Sequence, residues 1–151
     1  MDRENSPSAL PSKPLLRTLH GEAQWPPPMW LMRQAGRYLP EFRAMRAKAD
    51  FLTRCMTPDI ATELTLQPIR RYGMDGAILF SDILILPWAM GQSLEFVEGK
   101  GPDLGPIRDR AALDRPDPGR VAEATAPVRV TSSRLRRELP LHTPLLGFAG
   151  S

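Results

Sequence analysis

Two stretches of this chain carry side chains whose types and spacing suit chemistry on a multiply charged anion. The first runs over residues 32–46 and sets Arg33, Arg37, Arg43 and Arg46 among Tyr38, Phe42, Ala35 and Gly36. A guanidinium is permanently charged and holds a carboxylate through two parallel hydrogen bonds. Ala35 and Gly36, between the first two arginines, let a ligand come close to the backbone. Several arginines on one short segment therefore suit a ligand with several carboxylates. The plainer alternative is a solvated helix face, since Arg33 and Arg37 stand four residues apart. The second stretch is the apolar run 77–80 followed by Ser81 and Asp82. A carboxylate placed directly after a buried strand sits at the strand's C-terminal end, where α/β folds do their chemistry. Flanked by apolar residues, Asp82 needs a partner if it is buried. It can accept hydrogen bonds from a ligand's N–H groups and stabilise positive charge developing there. Capping a helix from Ile83 onward, or pairing with a cation, would use it equally well.

Other reactive types point to packing or loops. His20, His142 and the single Cys55 lie far apart, which gives no zinc-type spacing and no intramolecular disulfide. Cys55 reads as a small core filler, and Met29, Trp30, Leu31, Met32 and Trp88 as packing residues. The Gly99-Lys100-Gly101 run is too short for a phosphate-binding loop.

The elements that must position these residues follow from periodicity and punctuation. Leu15, Leu16 and Leu19 have helical spacing, with Gly21 to stop the turn. Pro26, Pro27 and Pro28 deliver an extended chain to Met29. Thr57 as N-cap, Pro58 at the first position and Asp59 in the first turn open a helix that Gly73 closes, with Pro68 kinking its last turn. Asp75-Gly76 turns into the strand at 77–80, residues 93–98 alternate as a half-exposed strand, and 99–106 reads as loop. A weaker helical pattern covers 121–139, bent or divided at Pro127, with Arg134, Arg136 and Arg137 as a solvated face. A second apolar strand begins at Leu145. Strand, helix and strand joined by long crossovers predict an α/β architecture with a parallel sheet.

Composition sets the outer bounds. Of 151 residues, 42% are hydrophobic and 25% charged, the balance of a globular domain with a core, and 17 prolines disfavour long helices. A net charge of +3 is compatible with an anionic small molecule as well as with nucleic acid and does not choose between them. No apolar run is long enough to span a membrane, and residues 1–14 read as a disordered lead-in without a secretory core, so a reducing, cytoplasmic setting is expected. An apolar strand at the very end, with nothing after it to cover its faces, leads us to expect a chain cut short.

Taken together, residues 28–42 (Pro-Met-Trp-Leu-Met-Arg-Gln-Ala-Gly-Arg-Tyr-Leu-Pro-Glu-Phe) and 80–84 (Phe-Ser-Asp-Ile-Leu) resemble the uroporphyrinogen decarboxylase family. The segments 63–68 (Glu-Leu-Thr-Leu-Gln-Pro), 99–102 (Gly-Lys-Gly-Pro) and 144–150 follow in that family's order, so the resemblance runs from about Leu15 to Ser151. It implies a (β/α)8 TIM-type barrel of which only the N-terminal part is present, with residues 15–151 forming one partial domain. It also implies a cytosolic homodimer that removes four acetate carboxyls from uroporphyrinogen III, giving coproporphyrinogen III, with no cofactor, metal, nucleic acid or membrane. Carried over by position, Arg33, Ala35, Arg37, Arg46 and Asp82 bind substrate, and Asp82, Arg33 and Arg37 take part in catalysis. The family's later active-site tyrosine, serine and histidine lie beyond this sequence, so the chain alone is expected to be inactive and poorly soluble. Three other readings are a non-catalytic module binding anionic tetrapyrroles, a cobalamin-linked methyltransferase, which lacks suitably placed ligands, and nucleic-acid binding through the arginine clusters, which a net charge of only +3 disfavours.

Overall fold

The computed structural model describes residues 13–31, 37–97 and 101–147. It consists of helices and short strands in the order α1 (Pro14–Leu19), α2 (Pro40–Lys48), α3 (Phe51–Met56), α4 (Pro58–Tyr72), β1 (Ala77–Ile78), α5 (Ile85–Ala89), β2 (Glu95–Val97), β3 (Gly101–Asp103), α6 (Arg110–Leu113), a 3-10 turn (Pro118–Arg120), α7 (Val121–Ala124), α8 (Ala126–Glu138) and β4 (Leu145–Leu146). The expected lead-in lies outside the described residues except for its last two, and Pro14 already opens α1.

The framework is a pair of parallel strands with a helix before each. Ala77 aligns with Leu145 and Ile78 with Leu146. The Ala77 N–H donates to the Pro144 carbonyl and the Leu79 N–H to the Leu146 carbonyl, both at 2.9 Å. Helix α4 leads into β1, α8 leads towards β4, and the two helices pack on each other. A mixed α/β chain with parallel pairing is what the alternating pattern predicts. β4 is half-buried, where its apolar run led us to expect a buried strand.

Helix α4 follows its local code closely. Pro58 occupies the first turn with Asp59, Arg70 and Arg71 occupy the last, and Gly73 closes the helix in the left-handed region at φ 62°. The Thr57 hydroxyl makes no capping bond, contrary to expectation. Residues 64–69 are all buried, because α4 is sandwiched between two apolar clusters. One joins Leu39, Phe42, Cys55, Ala61, Leu64, Phe80 and Ile85. The other joins Leu66, Ile69, Met74, Ala77, Leu79, Leu135 and Leu139. Burying both sides of α4 fixes β1, which follows it after a short turn.

Three expectations need correction. The Gly/Pro-rich segment 99–106 contains β3, which pairs antiparallel with β2, Phe96 facing Pro102 in register. Arg134 is no simple solvated residue, for it bonds the Asp59 carboxylate across the α4–α8 contact. Met29, Trp30 and Leu31 are exposed rather than packed; their segment is held through its backbone, the Met29 N–H donating to the Asp75 carboxylate at 2.6 Å. The 121–139 helix is divided as expected, at Thr125, two residues before Pro127.

Candidate active site

A cavity of about 530 Å³ opens at the C-terminal end of β1. Helices α2, α3 and α4 wall it with Phe42, Arg46, Phe51, Arg54, Leu64 and Thr65. Residues 78–82 form its floor, Phe96 and Pro102 of the β2–β3 hairpin one side, and Trp30 and Arg37 another. The volume is that of a small-molecule site. Of the residues singled out in the sequence, Arg37, Arg46 and Asp82 all line it. Arg33 and Ala35 lie outside the described residues. Arg43 is exposed on α2 and does not line the cavity.

Asp82 is placed by its own backbone neighbourhood. One carboxylate oxygen accepts the Leu84 N–H at 3.0 Å, and the Asp82 carbonyl accepts the Ile85 N–H at 3.2 Å. The capping alternative is therefore partly realised, yet it engages a single carboxylate oxygen and leaves the half-buried group facing the cavity. The strand end is pinned from the other side. Thr65 accepts the Phe80 N–H at 2.9 Å while donating to the Ala61 carbonyl at 2.8 Å, so α4 sets the height of residues 80–82. Cys55 is buried, and burial first and Asp82 second push its thiol up to about 12. A thiol held neutral is no nucleophile. It packs, as expected.

Arg37 sits in the turn before α2, and Arg46 in the last turn of α2, where cations also suit the helix dipole. Among the described residues neither has an ion-pair partner, in contrast to the exposed Arg71, bonded to Glu41 at 3.0 Å. Among the described residues the cavity thus presents Arg37 and Arg46 without ion-pair partners, together with one carboxylate, that of Asp82. That arrangement suits a ligand with carboxylates at its rim and N–H groups at its centre.

Sequence reasoning missed Arg54. It is only 7% exposed, and its guanidinium carbon lies 5.7 to 5.8 Å from the ring centres of Phe42, Phe51 and Phe80. Burial lowers its pKa, Cys55 and Asp50 oppose that, and the like charges of Arg46 and Arg37 add to it. A signal was present: Arg54 falls between Phe51, Leu52, Cys55 and Met56 in a six-residue helix, where a charged residue among apolar ones faces inward or is unpaired.

Helix α3 is held by Asp50, whose carboxylate accepts the Thr53 N–H at 2.8 Å and the Thr53 hydroxyl at 2.9 Å. These bonds hold its carboxyl below the usual range. Asp50→Ala is expected to cost about 1 kcal/mol of stability in urea unfolding at neutral pH. Because the folded-state carboxyl titrates below its ordinary 3.8, this contribution is full above that pH and is lost as pH falls further. A difference between the two proteins that persists unchanged at pH 2 would show that the cap is not its source.

Comparison with known proteins identifies the chain's family. The family model for uroporphyrinogen decarboxylase (URO-D) matches residues 10–151. The chain is 77% identical to the uroporphyrinogen decarboxylase of Gluconobacter oxydans, with all of this chain and 43% of the relative covered. It is 71% identical to that of Gluconacetobacter diazotrophicus (92% and 42% covered) and 63% identical to that of Acidiphilium cryptum (92% and 39%). The chain therefore spans about two fifths of the length of these relatives. With a matching family model over nearly all of its residues, this chain belongs to the uroporphyrinogen decarboxylase family.

Proposed function

We propose that this chain supplies the arginine-lined wall and the central carboxylate of a uroporphyrinogen decarboxylase active site, in an enzyme converting uroporphyrinogen III to coproporphyrinogen III. The observation that carries the reading is the convergence of Arg37, Arg46 and Asp82 on one cavity at the end of β1. Residues 15–151 belong in this reading to a single (β/α)8 barrel domain, β1 and β4 being neighbouring parallel strands of it, and the barrel works as a cytoplasmic homodimer. Among the described residues no helix is long and apolar enough to cross a membrane.

Each decarboxylation replaces a ring-bound CH2–COO⁻ by CH3, releases CO2 and consumes one proton. Protonation of a pyrrole ring carbon creates a cation whose electron demand draws off the carboxyl group. Asp82 accepts the pyrrole N–H bonds and stabilises that cation more than the neutral ring before it. Arg33, Ala35, Arg37 and Arg46 hold the peripheral carboxylates, and Arg33 and Arg37 steady the acetate arm whose carboxyl departs as CO2.

The test joins this chain to the C-terminal part of the Gluconobacter oxydans relative and supplies uroporphyrinogen III without oxygen, separating products by carboxylate number. Stepwise appearance of seven-, six-, five- and four-carboxylate products is expected. Tight tetrapyrrole binding with no loss of carboxylates would move the reading to a binding module, and neither binding nor turnover would end it.

A further inference from the structure

Among the described residues Arg54 is the buried charged residue of the cavity, and it has no counterion. More than nine tenths of it is hidden, and a buried cation requires an anion or a full set of hydrogen bonds. Its Nε donates to the Asp50 carbonyl at 3.2 Å. Its terminal nitrogens make no hydrogen bond or ion pair among the described residues; they are not sealed off in the core but reach the open space of the cavity that the group lines. The adjacent carboxylate of Asp50 is already committed to Thr53. Three aromatic faces offset part of the desolvation but leave the charge unneutralised. The nearest other charges at the cavity wall include Arg46 and Arg37, which have the same sign. Cys55, its sequence neighbour, stays a neutral thiol and cannot serve as counterion.

We propose that Arg54 is a further anion-binding residue of this cavity, receiving a substrate carboxylate at the inner wall beside Phe42, Phe51 and Phe80. The proposal rests on the reading of the cavity as a polycarboxylate site and deepens it. Arg37 and Arg46, exposed at the rim, meet carboxylates that keep part of their water. Arg54 meets one that has lost it, where a planar two-pronged donor between aromatic walls selects by geometry as well as by charge. A single deep contact of this kind fixes the rotation of a ring whose periphery carries eight similar groups. Both acetate and propionate side chains offer the required carboxylate.

The test measures binding of oxidised uroporphyrin and coproporphyrin by quenching of tryptophan fluorescence. It uses the 151-residue chain and, in parallel, the same chain extended by the C-terminal part of the Gluconobacter oxydans relative. Arg54→Met keeps an unbranched apolar side chain against the rings, and its fold is checked by thermal melting. Uroporphyrin affinity is expected to fall about tenfold or more, the range of a hydrogen bond to a charged group, with a shallower salt dependence than the parent. An equal loss for coproporphyrin assigns the contact to a propionate, and a loss confined to uroporphyrin assigns it to an acetate. Unchanged affinity in Arg54→Met, with Arg46→Met weakened, overturns the proposal and leaves Arg54 a packing residue. Unchanged affinity in both variants, or no binding by the folded extended parent, overturns the polycarboxylate reading as well. Should Arg54→Met fail to fold, Arg54→Lys decides: it keeps the cation but not the fork, so a clear loss is expected and parental affinity overturns the proposal.

Discussion

Asp82→Asn is expected to lower the kcat for uroporphyrinogen by about 100-fold or more, the scale of losing one preorganised electrostatic contact to a transition state. The substitution changes charge and little else. Asparagine keeps an oxygen able to accept the Leu84 N–H, the bond that now fixes the side chain at 3.0 Å, so α5 and the strand end should stay in place. It can also accept pyrrole N–H bonds in the neutral substrate, so KM should change far less than kcat. What is lost is a negative charge beside a ring that becomes positive. At about 4 Å and an effective dielectric of about 20, that attraction is on the order of 4 kcal/mol, of which the fraction unique to the charged intermediate appears in the rate. Steady-state rates of the extended chain, with its melting temperature as control, decide the point. Parental kcat in a folded Asp82→Asn protein would remove the carboxylate from the mechanism and return it to capping.

How much of this could be read from the sequence depends on how local each cause is. Helix α4 was legible because Pro58, Asp59, Arg70, Arg71 and Gly73 each act within one turn of a terminus. The strands at 77 and 145 were legible because short apolar runs between turn residues have few other uses. Strand β3 was hidden: its Gly101 and Pro102 argue for loop, and only pairing with β2 makes the segment extended. Helices α2 and α3 were hidden behind a ligand-binding reading of the arginines, which gave no weight to Pro40 and Asp50 as helix starts. The Asp59–Arg134 pair joins residues 75 positions apart, beyond any periodicity argument.

The candidate site divides in the same way. Asp82 stood out because its strand and its position after that strand are contiguous in sequence. Arg37 and Arg46 stood out as members of a cluster, but nothing local distinguished them from Arg43, which points elsewhere. Burial of Arg54 is a product of Phe42, Phe51 and Phe80, contributed by α2, α3 and the end of β1. A three-element pocket has no signature in any one segment. Chemistry-bearing residues are thus easiest to read where a single element places them, and hardest where tertiary packing makes an ordinary surface type into an inward-facing one.

Leu135→Ala is expected to cost about 2–5 kcal/mol, the range for removing a fully buried leucine and leaving a partly uncollapsed cavity. Leu135 has no exposed surface and belongs to the cluster of Leu66 and Ile69 from α4 with Met74, Ala77 and Leu79 from the β1 region. It is the main apolar plug between α8 and the α4–β1 unit, since Leu139 lies near the helix end and Thr131 is polar. The polar link across the same contact, Arg134 to Asp59, is solvent-exposed, and exposed ion pairs contribute little. Urea unfolding should therefore show a lower midpoint with an unchanged slope, and the melting temperature should fall by on the order of 10 °C. Leu135 does not line the arginine cavity, to which its cluster contributes Leu79, whereas Phe42, Leu64 and Phe80 of the cavity wall belong to the cluster on the other side of α4. Porphyrin affinity measured well below the melting point should accordingly stay at the parental value. That separates this variant from Asp82→Asn, which should leave the melt alone and remove the rate. A loss below about 1 kcal/mol, within the common run of substitutions, would mean that α8 is not seated on α4 through Leu135. A large loss of affinity in a protein still folded would mean that the two clusters do not act independently across α4.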